Sequence, residues 1–210
     1  MARAPRDRTG DTASRILDVA EQLVQTRGFN GFSYADVAHE VKVTTATLHY
    51  HFPGKGELGR ALIGRYANNF FAALQGIEAQ FADAPRRLRA YAGLYSRVLL
   101  EQKLCLCGML AAEYHTLPAP MRDAVVSFFD ENEAWLGRVL EEGRQQASLE
   151  FSGSAADTAR MIISALEGAM LVSRPYGDAG RFEAASVQLL ASLTRSTQPD
   201  PKRAGGGGSV

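Results

Sequence analysis

Only two cysteines occur among the 210 residues, Cys105 and Cys107, spaced two apart. On a helix or a strand that spacing sends the side chains to different faces, so a bridge between them would be strained and a disulfide framework is not expected. No apolar run approaches the ~20 residues that span a bilayer. The opening MARAPRDRTGD lacks the apolar core of a secretory signal. These absences lead us to expect a cytoplasmic protein with no membrane partner. Net charge is also missing, with 23 Lys and Arg against 23 Asp and Glu. That argues against a protein that coats nucleic acid without selectivity, though it leaves room for local positive charge. There is no Gly-rich phosphate loop between a strand and a helix. No nucleophile, base and orienting acid are assembled in the sequence. His49 and His51 sit two apart, which turns their rings away from each other on a helix, and no Cys or acidic cluster joins them. No enzyme, cofactor or metal centre is expected.

What is present points to helices. Hydrophobic residues make up 46%, enough for a sizeable core. Period-two alternation of β-branched residues is rare, while Ala, Leu, Arg, Glu and Gln are abundant, so an all-α chain is predicted. Helical spacing begins near Asp11 or Thr12, with Ile16, Leu17, Ala20, Leu23 and Val24 on one face and Gly28 as the stop. Further helices are predicted over 34–41, 45–51, 55–81, 86–105, 109–115, 121–146, 154–173 and 182–195, about nine in all. Ser33 with Asp36 and Ser154 with Asp157 have the spacing of N-terminal caps. Gly108 reads as an interruption. The organisation predicted is a flexible basic arm over 1–10, carrying Arg3, Arg6 and Arg8, a DNA-binding domain over 11–56, a ligand-binding and dimerisation body over 57–195, and a disordered tail over 196–210. The final GGGGSV resembles a flexible linker.

One stretch, FSYADVAHEVKVTTATLHYHFPGKGELGRAL over 32–62, organises the rest. It reads as a short helix, a tight turn at Lys42-Val43, a second short helix, and the start of a longer one. Small apolar residues fall where the two helices cross, and the second helix is crowded with Thr, His and Tyr. A short polar helix braced from behind is what reading a DNA major groove requires. Thr45, Thr47, His49 and Tyr50 are the candidates for base contact, since threonine can donate, accept and offer a methyl to thymine. Tyr50 and His51 can also reach phosphates. Lys55, beside the free N–H groups of a helix start, is a candidate phosphate partner. Ser33, Tyr34 and Thr44 sit at helix starts and are candidates for further phosphate contacts; capping alone is the other reading of Ser33 and Thr44.

These residues, with ILDVAEQLVQTRGF before them, resemble the tetracycline-repressor (TetR) family over about residues 12–62. The resemblance implies a three-helix helix-turn-helix head, a connecting fourth helix, and a larger helical body that binds a small-molecule effector and pairs with a second copy. It implies a transcription regulator, most simply a repressor released from a palindromic operator. CLCGMLAAEYHTLPAPM and ALEGAMLVSRP also resemble segments of family bodies. The family commonly has glycine where this chain has Lys42, which predicts a strained, positive-φ turn residue. It also favours tyrosine where this chain has His49. Two other readings stay open: a helical adaptor that has lost DNA binding, and a regulator that senses oxidants or electrophiles through Cys105 and Cys107. The bland reading of that pair is buried packing at a helix end.

Within the body, Tyr91, Tyr95, Met109, Tyr114, Trp135, Met161 and Met170 are candidates to line an effector pocket, with Glu113 and Tyr114 as polar handles. The helix over about 154–173 is apolar around most of its circumference. With the one over about 181–194 it is the expected homodimer face, a four-helix interface with its symmetry mate.

Overall fold

The computed structural model describes residues 8–194. Among these, nine α-helices and two 3-10 turns occur, with no strand. The expected tail over 196–210 and the first seven residues of the expected arm lie outside the described residues.

The head is built from α1 (Arg8–Arg27), α2 (Tyr34–Val41) and α3 (Thr45–His51). Helix α1 starts earlier than its apolar periodicity implies, so residues 8–10 are helical rather than part of an arm. Its buried stripe is Ile16, Ala20, Leu23 and Val24. Gly28 ends it at φ +83°, a left-handed conformation suited to glycine. Phe29 and Phe32 then return to the core, edge to face with centroids 6.0 Å apart. A capping box starts α2: the Ser33 hydroxyl accepts from Asp36 N, and Asp36 accepts from Ser33 N. Lys42 occupies the left-handed region at φ 61°, as the comparison with glycine predicted. Thr44 caps α3 by accepting from Thr47 N, and Leu48 is the fully buried residue of α3, which packs against α2.

Helix α4 (Lys55–Gln80) has 26 residues, so it runs ~39 Å and crosses the expected boundary between head and body. Arg65 on α4 ties it to α1 through Asp18 at 2.6 Å and Glu21 at 2.8 Å.

The body comprises α5 (Ala84–Leu100), α6 (Leu106–Ala112), a 3-10 turn (Tyr114–Thr116), α7 (Ala119–Gln145), α8 (Ala155–Ser173), a second 3-10 turn (Arg174–Tyr176) and α9 (Ala179–Ala191). Helix α5 stops at Leu100, five residues short of the expectation. Gln102 takes φ 60°, and the chain reverses so that Lys103 N donates to Val98 O and Leu104 N donates to Gln25 O on α1. Cys105 therefore lies at the N-cap of α6 rather than at the C-terminal end of α5. Gly108 lies inside α6 and does not interrupt it. Helix α8 packs against α7 and α9, burying Ile162, Ile163, Leu166 and Met170. Its other side leaves Met161, Leu171 (60% exposed) and Val172 (63%) uncovered, and Val187 (55%) on α9 is exposed as well.

Candidate nucleic-acid interface and body cavity

The exposed side of α3 is the part of the head with chemistry to spare. Tyr50 is 77% exposed, although burying an aromatic ring is favourable and nothing in the head uses it. Its ring meets only that of His51, edge to face at 5.2 Å. Thr45 and Ala46 are exposed beside it. Thr44 and Thr47 face the same side, but their hydroxyls are 2.9 Å apart and share a hydrogen bond.

Other expected contact residues are partly committed to the head itself. His49 Nδ1 lies 3.0 Å from Pro53 O, and its ring packs on Tyr34 at 4.9 Å. Tyr34 donates its hydroxyl to Phe52 O at 3.0 Å. Burial, followed by the nearby Glu57 carboxylate, pushes the Tyr34 phenol up to about 12. Ser33 is fully accounted for by its capping box with Asp36.

Lys55 departs most from expectation. It is the first residue of α4, but its ammonium turns inward. There it donates to Phe29 O and Phe32 O and lies over both phenylalanine rings, 4.6 and 4.2 Å from their centroids. Burial lowers its pKa, while Glu113 and Asp36 oppose that shift. This cation stitches the 28–33 turn to α4 and does not point toward a backbone phosphate.

The junction of head and body is held by a carboxylate. Glu113, at the end of α6, accepts from Phe29 N at 2.6 Å and from Asn30 N at 3.3 Å. Asn30 Nδ2 donates to Thr116 at 2.7 Å. A Cβ on Gly28 would stand 2.8 Å from Glu113 Oε1, so glycine there serves close approach as well as the turn. Arg174, after α8, donates to Thr26 O at the end of α1. Glu113 was expected as a pocket handle. The structure uses it as a latch, with Tyr114 beside it edge to face with His115; Met161 is on the surface.

The remaining pocket candidates do converge. Tyr91 donates to Asn132 Oδ1 at 3.0 Å, and its hydroxyl lies 2.9 Å from that of Tyr95. Trp135 stacks on Tyr91 at 5.6 Å, with its Nε1 buried and without a partner. Tyr66 donates to Cys105 Sγ at 3.6 Å, and Cys105 N donates to Met170 Sδ at 3.2 Å. Phe70 and Phe128 meet at 5.1 Å and close the aromatic wall.

Two cavities flank this cluster. One, about 410 Å³, lies between α6, α7 and α8 and is lined by Leu104, Met109, Phe129, Ile163, Glu167 and Met170. The other, about 320 Å³, opens between α4 and α5 and is lined by Tyr66, Phe70, Tyr95, Cys105 and Met170. Sequence patterning missed Glu167, Asn132, Tyr66 and Phe70. Asn132 and Glu167 interrupt apolar faces of α7 and α8, and that interruption was the available signal.

Glu167 is pushed up to about 7 by burial, with the Cys105 thiol opposing the shift. Both thiols are pushed well above their ordinary value, chiefly by burial and then by the Glu167 charge. Being near the start of α6 does not offset this, so Cys105 and Cys107 are held as protonated core thiols.

Known proteins share this architecture. A family model described as "Bacterial regulatory proteins, tetR family" matches residues 16–62. One described as "Tetracyclin repressor-like, C-terminal domain" matches residues 84–189. The HTH-type transcriptional repressor NemR of Escherichia coli (strain K12) is 27% identical over 170 residues, 78% of this chain and 84% of that protein. The crystal structure of a TetR-family transcriptional regulator from Agrobacterium tumefaciens superposes with a TM-score of 0.86 at 33% identity, covering 89% of this chain and 100% of that one. A TetR transcriptional regulator from Legionella pneumophila gives 0.78 at 31% identity, covering 92% and 100%. Head, connecting helix and body all match, and the chain belongs to the tetR family of DNA-binding transcriptional regulators.

Proposed function

We propose that the protein is a homodimeric repressor that binds a palindromic operator and is released when a small molecule enters the body. The observation that carries the DNA-reading part is the uncovered polar and aromatic face of α3, with Thr45 and Tyr50 exposed and Leu48 pinned behind them. In this reading Thr45, Thr47 and Tyr50 contact bases, His49 and His51 lie against the groove edge, Thr44 and Tyr34 serve the backbone, and Ser33 serves as the cap alone. One seven-residue helix contacts too few base pairs for genomic specificity, and a two-fold dimer doubles the site. The exposed apolar side chains Met161, Leu171 and Val172 on α8 and Val187 on α9 support the α8–α9 face as the dimer contact.

Release requires two states that differ in ligand affinity. Two elements join body to head in ways that could carry the change: α4, which runs through both, and α6, which borders the larger cavity and ends at the Glu113 latch. The division into a head over 11–56 and a body over 57–195 follows the same reading. The protein acts by binding rather than catalysis, and in the cytoplasm where its operator is. The buried, protonated thiols support the plain packing reading of Cys105 and Cys107 over a sensing one.

The experiment is selection of binding sites from random duplexes, followed by anisotropy titration of wild type and Tyr50→Ala. A palindrome should be enriched. Tyr50→Ala should weaken its binding by about tenfold, the value of one good base contact, with thermal stability unchanged. Failure to enrich any palindrome at moderate salt would favour an adaptor that has lost DNA binding.

A further inference from the structure

We infer that the cavity bordered by Glu167 takes an amphipathic organic cation bearing at least one N–H, with the nitrogen donating to the Glu167 carboxylate and the apolar part lying among Leu104, Met109, Phe129 and Met170. The inference rests on the reading of the body as an effector-binding module and names the chemistry of that effector.

The starting observation is an unsatisfied atom. Glu167 Oε1 is out of contact with solvent and has no hydrogen-bond partner. A buried carboxylate oxygen without a partner is costly, and native structures retain such groups where they do something. Glu167 is nonetheless a cavity-lining residue, so this buried carboxyl belongs to the wall of a space. That space, about 410 Å³, falls within the range of small-molecule sites, roughly 300–1,000 Å³, which are mostly apolar with a few placed polar groups. Among the described residues only thiol chemistry answers the carboxyl: the Cys105 thiol interacts with it, and no Lys or Arg does.

The charges around Glu167 decide the sign of the ligand. Arg160 on α8 lines the cavity and is occupied by Glu133 at 3.0 Å and Asp157 at 2.9 Å, while Arg174, 3.9 Å from Met109 Sδ, donates to Thr26 O. Glu133 and Arg160 therefore cancel at the mouth. The other titratable groups that feel Glu167 are neutral at physiological pH: Tyr66 on α4, Tyr91 and Tyr95 on α5, and Cys105 and Cys107 at the start of α6. When Glu167 ionises, the interior of the site carries one uncompensated negative charge. An anionic amphiphile would meet it at close range in a poorly screened medium, whereas a cation would remove the penalty that burial imposes. Across Met170 and Cys105, which line the second cavity, stand the rings of Tyr66, Phe70 and Tyr95, surfaces that also attract cations.

The cavity is coupled to the head by packing. A Cβ on Gly108 would lie 2.3 Å from Glu167 Oε2, so α6 rests directly on this carboxyl. The far end of α6 carries Glu113, which holds the 28–30 turn of the head. A ligand that draws Glu167 toward itself changes what α6 leans on.

The test uses the full-length wild-type dimer and three probes of equal shape: 4-phenylbutylamine, 4-phenylbutan-1-ol and 4-phenylbutyrate. Trp135 is the only tryptophan in the chain and stacks in the neighbouring cluster, so its fluorescence reports binding. At pH 8 the amine should bind at least tenfold more tightly than the alcohol, and the carboxylate more weakly than either. Between pH 6 and pH 8 amine affinity should rise about tenfold as Glu167 goes from mostly neutral to mostly ionised, while alcohol affinity should not. Glu167→Gln should bring the amine to the level of the alcohol and remove the pH step. Equal affinity of amine and alcohol, a flat pH profile, or an unchanged amine preference in Glu167→Gln would overturn the inference, as would no binding of any probe. If Glu167→Gln loses its helical circular dichroism, the wild-type ranking and pH step decide without it. Anisotropy on the selected operator in the same samples separates the two readings. Intact operator binding without amine selectivity overturns the cation site alone; no operator binding overturns the repressor reading.

Discussion

Replacing Glu167 by glutamine should stabilise the fold, and by an amount that depends on pH. Glutamine has nearly the same shape and keeps an oxygen for the Cys105 thiol, but it never ionises. In the folded chain the Glu167 carboxyl is held at about 7 against an ordinary 4.5. Below 4.5 both folded and unfolded chains carry the proton, and the variant should match wild type. Between 4.5 and about 7 the unfolded chain has released the proton while the folded chain still holds it, so raising the pH favours unfolding of wild type. Each pH unit across that window costs about 1.4 kcal/mol, giving a total of about 3 kcal/mol that is complete above pH 7. For a chain of this size that corresponds to a rise in melting temperature of roughly 6–12 °C for the variant at pH 8. The assay is a pair of urea and thermal unfolding series at pH 4.5, 6 and 8, at one protein concentration because dimerisation contributes to stability. Effects of other titrating groups cancel in the difference between variant and wild type. A difference that does not grow with pH, or a variant less stable than wild type at pH 8, would show that Glu167 is not a strained acid. A stabilising substitution of a residue whose strain serves binding is the expected trade between stability and activity.

Other expectations follow from the head and the thiols. Lys55→Met should leave Phe29 O and Phe32 O without their shared donor and cost about 1–3 kcal/mol in denaturant melts. The salt dependence of operator binding should stay as in wild type, whereas losing a phosphate contact would lower its slope by about 1. Lys42→Gly, at φ 61°, relieves a left-handed non-glycine residue and should stabilise by about 1 kcal/mol, read as a higher urea midpoint with the same slope. Cys105 and Cys107, buried and protonated, should react with iodoacetamide at pH 7.5 only as fast as the chain opens; rapid labelling of the native dimer would restore the sensing reading.

Local rules made the head readable. The Ser33–Asp36 box, the Thr44 cap and the Gly28 stop each involve groups within a few residues of one another, so spacing alone reveals them. The strained turn at Lys42 was legible for the same reason: only a left-handed residue lets α2 end and α3 begin in so few positions. The helix order of the body was also legible from periodicity, because burying one stripe per helix leaves a pattern in the chain. Where periodicity erred, long-range contacts had intervened. Helix α5 ends early where Leu104 N finds Gln25 O on α1, and the glycine inside α6 answers to Glu167 on α8, which leaves no room for a Cβ at position 108.

The sequence by itself determined the class of protein: an all-α chain whose short, capped, polar third helix leaves Thr45 and Tyr50 exposed. It could not decide what individual charged residues do, because a charge is assigned by whatever the fold brings beside it. Lys55 had the position of a phosphate ligand and became a stitch between two phenylalanine carbonyls. Glu113 had the look of a pocket handle and became the latch on a turn 83 and 84 residues away. Glu167, inconspicuous within an apolar helix, became a cavity-wall carboxyl with a buried oxygen left unpaired. Caps and stripes are short-range and survive in one dimension, whereas the partner of a buried charge exists only once the helices have packed.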